Sequence, residues 1–303
     1  MPVDPGRKVL APRELGLAAH PNLLTFDAGP EGQSFADVGF YVPTYMGPLS
    51  VFEAAQRMPR LQVMQLLTAG YESAVPYLPA SAVLCNAAGV HDASTSELAV
   101  GLILASLRGI DDFARAMPQG EWLRGRRPAL ADSRVVIIGA GGVGESIRRR
   151  LVPFEVDVVV VGRTSREGVH GRDELDSLLP GADIVILAVP LGPDTTGMVD
   201  DVFLRRMKAG ALLVNVARGG VVDTDALVAH CAHGRIRAAL DVTDPEPLPQ
   251  DHLLWTTPGV LVSPHVGGNS SAFLPRARRL VERQVQRWLA GQPMGHVVAG
   301  PAS

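Results

Sequence analysis

From Arg134 onward the chain repeats one theme six times. RVVIIG, VDVVVVG, ADIVILAVP, ALLVNVAR, IRAALDV and VLVSPHV are short runs that are apolar almost throughout. Strands that read this way are buried on both faces, as in a parallel sheet covered by helices. The stretches between them, GVGESIRRRLV, DELDSLLP, DDVFLRRMKAG and DTDALVAHCAHGR, are helical in composition, several with Asp near the start and Gly at the end. Six strands alternating with helices predict a doubly wound α/β domain of Rossmann type.

A chain of 303 residues has room for a second domain. Residues 1–87 alternate β-rich runs (8–11, 22–26, 38–42, 61–67 and 82–85) with helix-like stretches such as SVFEAAQRM, the rhythm of a smaller α/β sheet. STSELAVGLILASLRGIDDFARAM follows, where Ser94 and Glu97 predict a capping box at the head of a long helix. Its apolar residues surround the axis, so it must be covered on every side, by another domain or a second subunit. The last segment, LPRARRLVERQVQRWLAG, sets Ala277, Val281, Val285, Trp288 and Leu289 on one helical face and Arg276, Arg279, Arg283 and Arg287 on the other. The expected organisation is a flavodoxin-like first domain begun by residues 1–93, a Rossmann domain over 94–272, and a helix in 273–303 that returns to the first domain. Two crossings at one hinge would let the domains close on a ligand.

Composition removes several classes of function. The formal charge is −3, and no run of like charge is long enough for a nucleic-acid arm or an anionic-membrane patch. Two cysteines, Cys85 and Cys231, cannot make a disulfide framework, which fits a reducing cytoplasm. The N-terminus lacks an apolar signal core, and the longest apolar run, LAVGLILASL, is well short of the roughly 20 residues that cross a bilayer. HCAH at 230–233 has no second ligand cluster, so no metal is expected.

Gly139, Gly141 and Gly144 spell G-x-G-x-x-G between the strand RVVII and a helix, with Gly142 and Val143 inside the same turn. The first glycine makes the tight turn, the second lets backbone approach a pyrophosphate, and the third lets helix and strand pack closely. NAD-preferring folds usually end the next strand in an acidic residue that holds the ribose 2′-OH. Here Arg163, Thr164, Ser165 and Arg166 stand in that place. Two forked guanidinium groups and two hydroxyls suit a 2′-phosphate, so NADP(H) is the expected cofactor, with NAD the alternative.

VNVARGGVVD, ALDVTDPEPLP and VLVSPHVGG then appear in order, placing Arg218, Glu246 and His265 at separations of 246 − 218 = 28 and 265 − 246 = 19, with LAVPLGPDTTGMVD upstream. Together with the glycine motif these closely resemble the signatures of the D-specific 2-hydroxyacid dehydrogenases, from about Leu66 to Val298. The resemblance implies two Rossmann-like domains with the active site in the cleft between them. It also implies that His265 donates a proton to the substrate carbonyl and that Arg218 binds the 2-keto acid. A carboxylate beside an imidazole favours its protonated form, which suits Glu246 to a place next to His265.

By the same residue-by-residue resemblance Asp241 receives the nicotinamide carboxamide, and Pro190, Thr195, Ala217 and Gly267 line the cofactor site. LLTAGYES matches the loop whose backbone N–H groups hold the substrate carboxylate, which makes Ala69 and Gly70 the candidates. Tyr71-Glu72 departs from the family's small apolar residue and Asp, leaving substrate size open; Tyr45 and Met46 are further candidates for the substrate site. The implied activity is NADPH-linked reduction of glyoxylate or hydroxypyruvate, and the implied assembly is a homodimer. The alternative is a dinucleotide-sensing corepressor, since some relatives act that way. Formate-oxidising relatives carry an amide where this chain has Glu246, which argues against that branch.

Overall fold

Burial on both faces explains the more C-terminal of the two sheets found in the computed structural model, which describes residues 6–32 and 34–301. Residues 1–5 of the N-terminal segment, and 302–303, lie outside the described residues. The chain begins with β1 (Lys8–Pro12), β2 (Leu23–Phe26), β3 (Val38–Tyr41), a short helix α1 (Ser50–Glu53), β4 (Val63–Gln65) and β5 (Val83–Cys85). Helices α2 (Asp92–Arg108) and α3 (Ile110–Ala116) follow, then β6 (Arg134–Ile138), α4 (Gly142–Leu151), β7 (Asp157–Val161), α5 (Leu175–Leu178), β8 (Ile184–Leu187), α6 (Asp201–Arg206), β9 (Leu212–Asn215), α7 (Thr224–Ala232), β10 (Arg237–Leu240) and β11 (Val260–Val262). The chain closes with α8 (Phe273–Leu289) and β12 (Val297–Ala299).

These elements form two six-stranded sheets, ordered β12-β5-β4-β3-β1-β2 and β11-β10-β9-β8-β6-β7. Contacts divide the chain into one unit of residues 1–91 plus 271–303 and a second of residues 92–270. The fold is thus α/β with two Rossmann-like sheets. Every pairing in the second sheet is parallel, and every residue of β8 and β9 is buried. In the first sheet β12 runs antiparallel to β5, an edge pairing that the repeating strand-helix pattern did not foreshadow.

Local caps follow the composition. Asp200 and Asp223 accept hydrogen bonds from the Phe203 and Ala226 N–H groups at the heads of α6 and α7. The α8 face carrying Ala277, Val281 and Trp288 is buried in the first unit's core with Phe40 and Phe273. Gln284, on that face, is 2% exposed; its Nε2 donates to Gln65 Oε1 at 2.8 Å and to the Gly295 carbonyl at 2.7 Å.

Two expectations for the segment after residue 91 need correction. Ser94 is not a cap: α2 starts at Asp92, and the buried Ser94 hydroxyl pairs with Ser270 Oγ at 2.6 Å. The helix is also not continuous. Gly109, at φ +65°, terminates it in the left-handed region open to glycine, and the chain bends by 66° into α3. Within its unit α2 packs on α4 and over β9 and β10, exposing Glu97, Gly101 and Arg108 along one edge. Among the described residues no single helix is long and apolar enough to cross a membrane.

Candidate active site

Because the second sheet is wholly parallel, its six strands all end at one edge. Each C-terminal end leads into a segment that carries a candidate residue. The order β11-β10-β9-β8-β6-β7 reverses direction at β6, the switch point where open α/β sheets bind ligands.

At that switch point Gly139 and Gly144 are required by space. Gly139 has φ +128°, and a Cβ on it would lie 2.2 Å from the Ala188 carbonyl oxygen beyond β8. A Cβ on Gly144 would lie 1.8 Å from the Gly139 carbonyl oxygen, so strand and helix could not close together. A Cβ on Gly141 would meet nothing within 4 Å, so the space beside its backbone at the head of the ten-residue α4 is open to a phosphate. Val143 is partly buried against the second unit's core. The fit for a dinucleotide is therefore steric and electrostatic together.

Arg163, Thr164, Ser165 and Arg166 are all exposed in the turn after β7. Arg166 exchanges two backbone hydrogen bonds with Val169, each 2.9 Å, and its guanidinium reaches the Ala140 carbonyl in the glycine loop at 3.5 Å. Beyond β8, the Thr195 hydroxyl donates to the Pro190 carbonyl at 2.7 Å and accepts from the Gly192 N–H at 2.9 Å. Thr195 thus closes its own loop.

The three catalytic candidates follow three adjacent strands. After β9, Arg218 is partly buried and its Nη1 donates to the Ala217 carbonyl at 2.6 Å. Asn215 braces this turn: its Oδ1 accepts the Ala217 N–H and its Nδ2 donates to the Arg218 carbonyl, both at 3.0 Å. Gly219 is pressed against the turn after β10, where a Cβ would sit 1.9 Å from the Thr243 carbonyl oxygen. Glu246 extends from that turn and meets His265, which follows β11, with 2.5 Å between Oε1 and Nδ1. Their side chains are 38% and 33% exposed, so the pair is partly reached by water.

Asp241, 3% exposed, lies beneath His265. Its Oδ1 accepts from the Ser263 hydroxyl at 2.7 Å and the Val266 N–H at 2.9 Å; its Oδ2 accepts from the Gly267 N–H at 2.9 Å. Its backbone carbonyl takes the His265 N–H at 2.8 Å.

In the first unit the loop after β4 is fixed through its carbonyls. His91 Nε2 binds the Leu67 carbonyl at 2.7 Å, the Ala87 N–H donates to Thr68, Asn86 Nδ2 donates to Ala69, and the Thr68 hydroxyl donates to Gly70. Tyr71 packs into that unit's own core, while Glu72 accepts the Tyr71 N–H at 2.9 Å. Tyr45 lies with its ring centroid 4.1 Å from that of Phe273 and 5.5 Å from that of His91, whereas Met46 is 57% exposed. HCAH joins no ligand cluster: His230 pairs with Asp201 at 2.9 Å, and no group of three or more potential metal ligands occurs among the described residues.

Asn215, Ser263 and His91 escaped the sequence reading. The first two did leave a signal, as polar residues inside largely apolar runs.

The profile of the family described as "D-isomer specific 2-hydroxyacid dehydrogenase, NAD binding domain" matches residues 100–267. The human glyoxylate reductase/hydroxypyruvate reductase is 35% identical over 213 residues, 66% of this chain and 65% of that protein. A D-isomer specific 2-hydroxyacid dehydrogenase from Xanthobacter autotrophicus Py2, solved with NADPH and MES, superposes with TM-score 0.82 at 28% identity over 97% of this chain and 98% of its own. An NADPH-dependent glyoxylate/hydroxypyruvate reductase from Sinorhizobium meliloti, solved with NADP and sulfate, gives 0.83 at 25% identity over 96% and 98%.

Proposed function

The chain belongs to the D-isomer specific 2-hydroxyacid dehydrogenases, an oxidoreductase family, and from that premise we propose that it reduces a short 2-keto acid, glyoxylate or hydroxypyruvate, with NADPH. The observation that carries the reading is the 2.5 Å contact between His265 and Glu246, one strand from Arg218. A bound reduced nicotinamide supplies the hydride. With Nδ1 held by the Glu246 carboxylate, His265 gives its Nε2 proton to the carbonyl oxygen and recovers it in the oxidative direction. Arg218 binds the keto acid and polarises its carbonyl, a charge-assisted contact that gains strength where water is excluded. Ala69 and Gly70 present backbone N–H groups to the carboxylate. The relatives named for glyoxylate and hydroxypyruvate reduction support the substrate class, and Arg163 with Arg166 supports the 2′-phosphate. Steady-state rates with a panel of 2-keto acids and NADPH test this directly. Glyoxylate and hydroxypyruvate should give the highest kcat/KM; a clear preference for bulky keto acids would overturn the substrate assignment.

The same reading includes a homodimer. Its surface falls on α3 and the segment beyond, where Ile110, Phe113, Met117, Trp122 and Leu123 are 51%, 41%, 76%, 83% and 43% exposed. Sedimentation should return twice the chain mass at micromolar concentration, and a monomer mass would remove the dimer.

A further inference from the structure

One buried carboxylate braces the turn that presents His265 from both sides, alongside backbone bonds from the Ser263 N–H to the Leu240 carbonyl and from the His265 N–H to the Asp241 carbonyl. All three donors to the Asp241 carboxylate come from residues 263, 266 and 267, which flank His265 on both sides. His265 itself has φ +52°, a left-handed backbone that a non-glycine residue adopts only when its surroundings impose it. Gly267 is shaped for the same contact, since a Cβ there would stand 2.7 Å from Asp241 Oδ2. Three of the roughly four lone-pair sites on the carboxylate are thereby engaged within the turn.

We propose that Asp241 is the positioning residue of the reaction: it clamps the 263–267 turn and so fixes the His265 imidazole against Glu246. This rests on His265 being the proton donor, and it goes beyond the carboxamide contact that the resemblance gives Asp241. In Asp241→Asn one oxygen remains to accept, but the amide NH2 opposes the Val266 N–H or the Gly267 N–H, whichever oxygen it replaces. Ser263→Ala removes one donor and leaves the carboxylate in place.

The test measures NADPH Kd by fluorescence together with kcat and its solvent deuterium isotope effect, all per folded enzyme. Asp241→Asn should lower kcat by about 10-fold or more, the equivalent of one lost charged hydrogen bond. The isotope effect should rise, because proton donation is what slows, whatever the variant does to NADPH affinity through the carboxamide contact. In Ser263→Ala, which keeps the carboxylate, NADPH Kd should stay within about 3-fold. Ser263→Ala should move kcat and the isotope effect the same way by less, and it decides the question alone if Asp241→Asn does not fold. Unchanged kcat, or a loss confined to NADPH affinity, would overturn the clamp. An active His265→Ala enzyme would instead overturn the reading beneath it, so the two failures are separable.

Discussion

Replacing His265 with Ala is expected to lower kcat by about 100-fold or more, the range for removing a general acid, while NADPH binds almost as before. The geometry supplies the reason. His265 lies at the end of β11, with three strands between it and β6, whose end carries the glycine loop, and its Nδ1 is engaged by Glu246 at 2.5 Å. Nothing about a phosphate site requires an imidazole there, so the loss should fall on the chemical step. Glu246→Gln should lower kcat less, because an amide oxygen can still accept from Nδ1 and hold the ring in place. Steady-state kinetics with fluorescence titration of NADPH separate these effects. Turnover in the His265→Ala enzyme equal to wild type would exclude His265 as the acid.

The second large effect concerns the choice of dinucleotide. Arg163→Asp is expected to weaken the preference for NADPH over NADH by roughly 10- to 150-fold, which corresponds to one charged hydrogen bond of about 1.5 to 3 kcal/mol. A 2′-phosphate carries close to two negative charges, and a carboxylate at the same strand end would repel it. Both arginines are exposed, but Arg166 is tied into its own turn by backbone hydrogen bonds and its guanidinium reaches the glycine loop. The paired comparison of kcat/KM with each cofactor, in wild type and variant, reads the change. A wild-type enzyme that uses NADH as well as NADPH would remove the 2′-phosphate role and leave the dehydrogenase chemistry standing.

The second sheet was legible because strands buried on both faces are apolar without alternation, and the glycine turn was legible because φ +128° at Gly139 and the close approach at Gly144 admit almost nothing else. His265, Glu246 and Arg218 could be named from ordered motifs, but their contacts depend on three strand ends that only the sheet brings side by side. Ser94 was misread because a Ser followed three residues later by Glu looks the same inside a helix as at its head. Gly109 gave no warning, since a glycine within a helical pattern can be tolerated or can end the helix, and the left-handed backbone decides which. The Asp241 clamp was hidden for another reason: its three donors are a serine and two backbone N–H groups, and backbone donors leave no trace in a side-chain pattern.

The most direct measurement of the central claim is a single turnover in which excess enzyme, NADPH deuterated at the transferring position of the nicotinamide, and glyoxylate or hydroxypyruvate are mixed and the product is analysed. The account predicts that reduced-nicotinamide absorbance disappears and that the deuterium is found on C2 of the 2-hydroxy acid. Binding of NADPH with no loss of absorbance for either keto acid would contradict it, and would leave the chain a dinucleotide-binding protein without this chemistry.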